Sequence, residues 1–221
     1  STDVSYVPEA LKSGAQLLTG ARADKIDIVA GRARGITGTL RGPLEKGKRP
    51  QLRVKADAVV VACGTLYTPG LLRRSGACKT SGMLGKNLSV HPATKVVALF
   101  DQKVDQFKGI PQGYAIDQFA DEGLMFEGGS LPFDVMAVSV PWTGHRFMEL
   151  MQNYRYMATF GLMIQDESRG EILRGPGRSP VIVYNLNRRD TALMQRGIEI
   201  LSRVFQEAGA KRVLPFVAGA D

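Results

Sequence analysis

The stretch ADAVVVACGTLYTPGLLRRSG, residues 56 to 76, decides how this chain folds. An apolar run from Ala58 to Ala62 enters a turn of small residues, Cys63-Gly64-Thr65, and a proline follows at Pro69. A short apolar run bounded by turn residues predicts a strand covered on both faces. Thr68 then reads as the N-cap of a helix and Pro69 as its first turn, where the missing N–H is no loss.

Upstream, VSYVPEALKSGA predicts a short helix ending at Gly14 to Ala15, with Val7, Leu11 and Ala15 at helical spacing. AQLLTGARADKIDIVAGRARGITGTL predicts two strands joined by a turn at Ala30 to Gly31, and LRVKADAVVVAC one or two more. Residues 15 to 62 are thus expected to form a small sheet, with helices capping the region at both ends. After MLGKNLSVHP the pattern changes to serial short strand candidates: TKVVALF, GYAIDQF, LMFEGG, ATFGLMIQ, GEILRG and VIVYN. A helical insertion through DVMAVSVPWTGHRFMELMQNYRYM interrupts them. Successive strands without crossover helices predict an antiparallel sheet over residues 93 to 185, with helices on one face. A last amphipathic helix, Arg189 to Ala208, ends at Gly209. The fold class is therefore α+β.

Composition narrows the function. The chain has 221 residues, 44% of them apolar, and no run long enough to span a bilayer. Its opening, STDVSYVPEA, lacks the basic start and apolar stretch of a signal peptide, so a soluble chain is expected, with the compartment left open and the cytoplasm favoured. With two cysteines, Cys63 and Cys78, and two histidines, His91 and His145, neither a zinc site nor a disulfide framework has its ligands. The net charge of +8 raises the question of nucleic acid. The densest basic segment contains RGPLEKGKRP, which reads as a solvated hairpin tip, and no RNA-binding or finger motif accompanies it. No nucleic-acid partner is expected, although a non-enzymatic basic binding module remains an alternative.

A backbone that must touch a nucleotide or flavin needs small residues at the point of approach, because a side chain would hold the ligand away. Ala62, Cys63, Gly64 and Thr65 meet that need, and the free N–H groups of the following helix, entered through Thr68, attract anionic groups. An ordinary strand-to-helix turn has the same composition, so the residues alone leave both readings open. Met125, Phe126, Phe160 and Met163, with Trp142, offer an adaptable apolar wall for a substrate, or an ordinary sheet core. Glu127, Asp166 and Glu167 show no acid–base spacing.

GTLYTPGLLRRSG resembles the second signature of the glucose-methanol-choline (GMC) flavoprotein oxidoreductases, through Gly64-Thr65, Thr68-Pro69, Leu71-Leu72 and Ser75-Gly76. Ala77 and Cys78 depart from its aliphatic-Gly close. LGKNLSVHP is similar to the family's Gly-x-Asn-Leu-x-x-His element, with Val90 where Asp is common. LLTGARADKI is similar to the strand whose backbone reaches the FAD adenine, which would place Ala23 against that ring. GYAIDQFADEGLMFEGG and ATFGLMIQDESRGEI resemble the long-chain alcohol oxidase branch.

The resemblance implies a fragment from the middle of a flavoenzyme that oxidises an alcohol by hydride transfer to FAD. Residues 1–92 would be a partial FAD-binding region and residues 93–221 the substrate-binding domain. The Gly-x-Gly-x-x-Gly pyrophosphate turn would lie upstream and the catalytic histidine downstream, so no catalytic residue is expected here and the isolated piece should be inactive. His91, before Pro92, is expected to be a hydrogen-bonded structural residue, and His145 a surface residue at a helix start. The partners implied are an alcohol, an electron acceptor of unspecified kind and the rest of the parent chain. Another two-domain FAD or NAD(P) oxidoreductase is the alternative within the enzymes.

Overall fold

The structure, a computed structural model, describes residues 1–42 and 49–217. The expected hairpin tip falls largely on residues 43–48, outside the described residues. The chain forms two compact units, Ser1–Leu88 with Glu171–Val183, and Ser89–Gly170 with Tyr184–Asp221.

In the first unit, helix α1 (Tyr6–Lys12) precedes an antiparallel sheet of β1 (Ala21–Val29), β2 (Arg32–Leu40) and β3 (Gln51–Lys55), in the order β1-β2-β3. Ala30 and Gly31 turn the first hairpin with φ of 49° and 76°. Helix α2 (Gly64–Ser75) packs on β1, burying Leu71 beside Ile26. Ser75 Oγ ties the two elements, accepting from the Ile26 N–H at 2.8 Å and donating to the Leu71 carbonyl at 2.8 Å. Gly76 ends the helix in the left-handed conformation.

Two expectations fail here. The strand from Ala58 to Ala62 does not form, and Val60 is 90% exposed. A covered strand needs neighbours on both sides for its N–H and C=O groups, whereas β1, β2 and β3 pair only with one another. Nor does α2 start at Thr68: it starts at Gly64, with Cys63 as N-cap and Pro69 buried inside the helix. A proline at that position removes one donor, the partner of the Thr65 carbonyl, and Thr65 is exposed to water that can replace it.

A second three-stranded sheet completes the first unit, in the order β10-β9-β4, from β4 (Lys86–Leu88), β9 (Gly170–Arg174) and β10 (Pro180–Val183). GEILRG and VIVYN therefore leave the sheet that serial strands led us to expect over residues 93 to 185. Gly85, at φ 82°, lets the chain close against β9, where the Ile172 N–H donates to the Gly85 carbonyl at 2.6 Å.

The second unit holds a five-stranded antiparallel sheet in the order β11-β5-β8-β7-β6, from β5 (Ala93–Leu99), β6 (Ala115–Ile116), β7 (Leu124–Gly129), β8 (Met157–Ile164) and β11 (Arg212–Pro215). The sequence reading did not include β11. Helices pack on both faces, not one, and leave part of the face opposite α5 open. Helix α5 (Arg188–Glu207) packs Leu201 and Phe205 on Val96, Leu124, Phe126, Leu162 and Ile164. Gly197 allows the close approach, because a Cβ there would meet Leu162 and Leu124 side chains at 3.0 and 3.1 Å. On the other face, α3 (Phe133–Ser139) and α4 (Gly144–Gln152) bring Met136, Leu150 and Met151 onto Val97 and Met157.

Candidate functional site

The α2 N-terminus is the first part of the site. Cys63 gives it no side-chain cap, and its first turn carries no acidic residue, so the positive end of a 12-residue helix is left uncompensated. Ala62, Cys63, Gly64 and Thr65 are all exposed. Gly64, at φ 71°, has open space where a side chain would project. Beside this bend lies a cavity of about 290 Å³ whose walls include Ala23, Ile26, Gly35 and Val54 of the sheet, the Ala58–Val61 run and Cys63. The fold thus brings Ala23 to Cys63 across 40 residues of sequence. Ala62, Gly64 and Thr65 adjoin that cavity along the chain. Thr68 does not: it is half-buried inside α2 and caps nothing.

The second part lies in the second unit, on the sheet face opposite α5. A concavity of about 300 Å³ is floored by Gly161, with Met163, Lys95, Glu127, Gly129 and Thr159 around it. Strand pairing sets Lys95 and Glu127 on either side of Gly161, one on each neighbouring strand. The glycine leaves the floor between them bare. Burial pushes the Lys95 ammonium below its ordinary pKa, and it lies 5.2 Å from the centre of the Phe216 ring. Gln112 Nε2 donates to Glu127 Oε2 at 2.6 Å. Thr159 Oγ1 is buried with no partner among the described residues.

Alternation along the strands divides the four expected substrate residues. Met125 pairs with Met163 on the open face, Met125 being 41% exposed and Met163 half-buried. Phe126, with no exposed surface, and Phe160 belong to the α5-covered core instead. Trp142 packs edge-on against Phe216 at 5.4 Å in the second core cluster. The sequence reading missed Lys95, Gln112 and Thr159. A charged residue in the apolar strand ATKVVAL was the available signal for Lys95.

Asp166 accepts from Ser89 Oγ at 3.1 Å, the Val90 N–H at 3.4 Å and the Tyr184 hydroxyl. Burial works to raise its pKa, and these bonds outweigh it, so the carboxyl is held below its ordinary value. Burial and then Asp166 push the Tyr184 hydroxyl up to about 12. His91 is exposed and has no hydrogen bond among the described residues, unlike the structural role expected of it; His145 is exposed in the first turn of α4. Among the described residues no cluster could hold a metal ion, and no helix is long and apolar enough to cross a membrane.

Residues 1–93 match the family model described as GMC oxidoreductase. An uncharacterized GMC-type oxidoreductase of Mycobacterium tuberculosis is 34% identical over 221 residues, covering 98% of this chain and 33% of the relative. The chain belongs to the GMC oxidoreductase family. Another uncharacterized GMC-type oxidoreductase, from Sinorhizobium fredii, is 31% identical and aligns with the whole chain and 43% of its own length. A long-chain-alcohol oxidase of Arabidopsis thaliana is 25% identical, over 96% of this chain and 29% of that protein. The GMC chain thus spans 29% to 43% of the length of these relatives. Its fold is similar to that of pyridoxine 4-oxidase from Mesorbium loti, with a TM-score of 0.61 at 19% identity, covering 93% of this chain and 43% of that one.

Proposed function

We propose that this chain supplies the substrate-binding region and part of the FAD site of a flavoprotein that oxidises an alcohol. The observation that carries this reading is the start of α2, where small exposed residues, an uncapped helix end and a cavity shared by Ala23 and Cys63 coincide. These features fit a dinucleotide. Gly64 has nothing within 4 Å of the place where a Cβ would stand, which lets a ligand reach the backbone. The uncapped N–H groups favour its anionic part.

In this reading Ala23 and Cys63 border the adenine, and the backbone from Ala62 to Thr65 approaches the ligand. Thr68 contributes only by packing within α2. FAD, when bound, supplies the acceptor for the hydride that leaves the alcohol carbon. The concavity floored by Gly161 receives the alcohol, its apolar body against Met125 and Met163 and its polar end toward Lys95, Glu127 and Thr159 Oγ1. The long-chain-alcohol oxidases among the relatives support an apolar alcohol as substrate. We assign no catalytic residue to this chain, and the electron acceptor is left unspecified.

The test is anaerobic bleaching of the flavin in a full-length enzyme containing this chain, across a series of primary alcohols. Bleaching that strengthens with the length of the apolar body, and that Met163→Glu weakens through KM, is the expected result. Flavin reduced by NAD(P)H and by no alcohol would establish a pyridine-nucleotide oxidoreductase instead.

A further inference from the structure

The first unit carries a second cavity, of about 400 Å³, between α2 and the β9–β10 hairpin. Four arginines line it, Arg73, Arg74, Arg174 and Arg178, and no acidic residue does. Their local bonds leave most of that charge unbalanced. Arg73 donates to two carbonyls, Leu84 O at 2.7 Å and Ile172 O at 2.8 Å, which fix its guanidinium without neutralising it. Arg74 Nε donates to the Asp24 carbonyl at 3.1 Å. Arg178 pairs with the Asp24 carboxylate, and Arg22 shares that same carboxylate. The Arg174 side chain is exposed and makes no hydrogen bond or ion pair among the described residues.

Crowding like charges around a concave surface costs self-repulsion unless an anion neutralises them. Guanidinium forks match the paired oxygens of phosphate groups. The cavity is of a size that holds small molecules. Its α2 wall also carries Leu66 and the Tyr67 ring, 61% exposed, which offer a flat apolar surface next to the arginines.

We propose that this cavity binds an organic diphosphate of the nucleoside diphosphate class, with the diphosphate on Arg74, Arg174 and Arg178 and the base against Tyr67. The site is separate from the cavity of Ala23 and Cys63, and the proposal does not rest on the FAD reading. Arg73, anchored on both sides, sets the positive floor. Arg174 and Arg178, at the hairpin turn, supply the remaining contacts to the phosphates.

Calorimetric titration of the purified protein with ADP and with inorganic pyrophosphate, at about 100 mM salt so that unspecific attraction is screened, tests this. Both probes should bind saturably, ADP more tightly. Arg174→Gln should weaken both by roughly tenfold or more, as expected for loss of a charge-assisted contact. Arg32→Gln, the same charge change at an exposed site on β2, should leave both unchanged, and Tyr67→Ala should weaken ADP alone. The proposal is overturned by absence of saturable binding, or by Arg32→Gln weakening binding as much as Arg174→Gln. Equal affinity for the two probes with no effect of Tyr67→Ala removes the nucleoside from it. Loss of ADP binding in Ala62→Leu, with Arg174→Gln silent, would place the diphosphate at the α2 N-terminus and refute a separate site.

Discussion

Gly85→Ala should be among the most damaging single-methyl additions to the first unit. The new Cβ would stand 2.2 Å from Arg73 Nη2 and 2.5 Å from the Ile172 carbonyl oxygen, and φ at this position is 82°. Left-handed backbone costs a residue with a Cβ about 1 to 2 kcal/mol. The clash must also push Arg73 off the carbonyls of Leu84 and Ile172, and hydrogen bonds from a charged donor contribute about 1.5 to 3 kcal/mol. Counting the two bonds of this one nitrogen as a single contribution, a loss of about 2.5 to 5 kcal/mol follows, which is a large share of a domain's stability. Gly177→Ala is the control, because its φ of 62° imposes the same backbone cost while nothing lies within 4 Å of the added carbon. It should lose only about 1 to 2 kcal/mol. Urea unfolding followed by circular dichroism measures both midpoints. If the two variants fall within about 1 kcal/mol of each other, the packing of Arg73 under Gly85 contributes little and the reasoning is refuted.

Phe126→Ala should destabilise the second unit by about 3 to 5 kcal/mol, while Met125→Ala, one residue away on the open face, should cost under about 1 kcal/mol. Thermal melts that show equal losses would contradict the assigned strand phase. Acid unfolding should depend on Asp190, which is fully buried at the start of α5 and accepts from the Ser168 hydroxyl and from the N–H groups of Ser168 and Glu167. Burial alone would raise this carboxyl, and the Ser168 and Glu167 bonds outweigh it, so its folded pKa is lowered. A lowered carboxyl stabilises fully above its unfolded value near pH ~4 and loses that contribution as pH falls through the folded value. Stability of the native protein should therefore drop below about pH 4, and Asp190→Asn should flatten that limb at the expense of stability at neutral pH.

The outcome for each element follows from how local its signal is. Helix α5 shows in its apolar periodicity, and the β1–β2 hairpin in its Ala30-Gly31 turn, because both depend on neighbours in sequence. Strands β7 and β8 show in LMFEGG and ATFGLMIQ for the same reason. Which sheet a strand joins is not local. GEILRG and VIVYN are strands that pair with each other, and only the approach of Gly85 to Ile172 tells that GEILRG also pairs with β4. The start of α2 was hidden by Pro69, whose usual place is a first turn, here held inside the helix because water can serve the carbonyl it leaves unpaired. The site was half legible. Small residues mark Cys63 and Gly64, and the family resemblance marks Ala23, but alternation fixes Met125 and Phe126 on opposite faces without saying which face stays open.

The central claim is that the bend from Ala62 to Thr65 holds FAD, and the most direct measurement is the flavin content of the full-length enzyme containing this chain when that bend is enlarged. Ala62→Leu puts a bulky side chain at an exposed position of ordinary backbone geometry, whereas Cys63→Ser keeps the size of the residue it replaces. The account predicts that Cys63→Ser purifies with near-stoichiometric FAD and that Ala62→Leu, folded by circular dichroism, purifies largely without it. Full FAD occupancy in folded Ala62→Leu would contradict the claim and leave the small residues at the start of α2 as an ordinary turn.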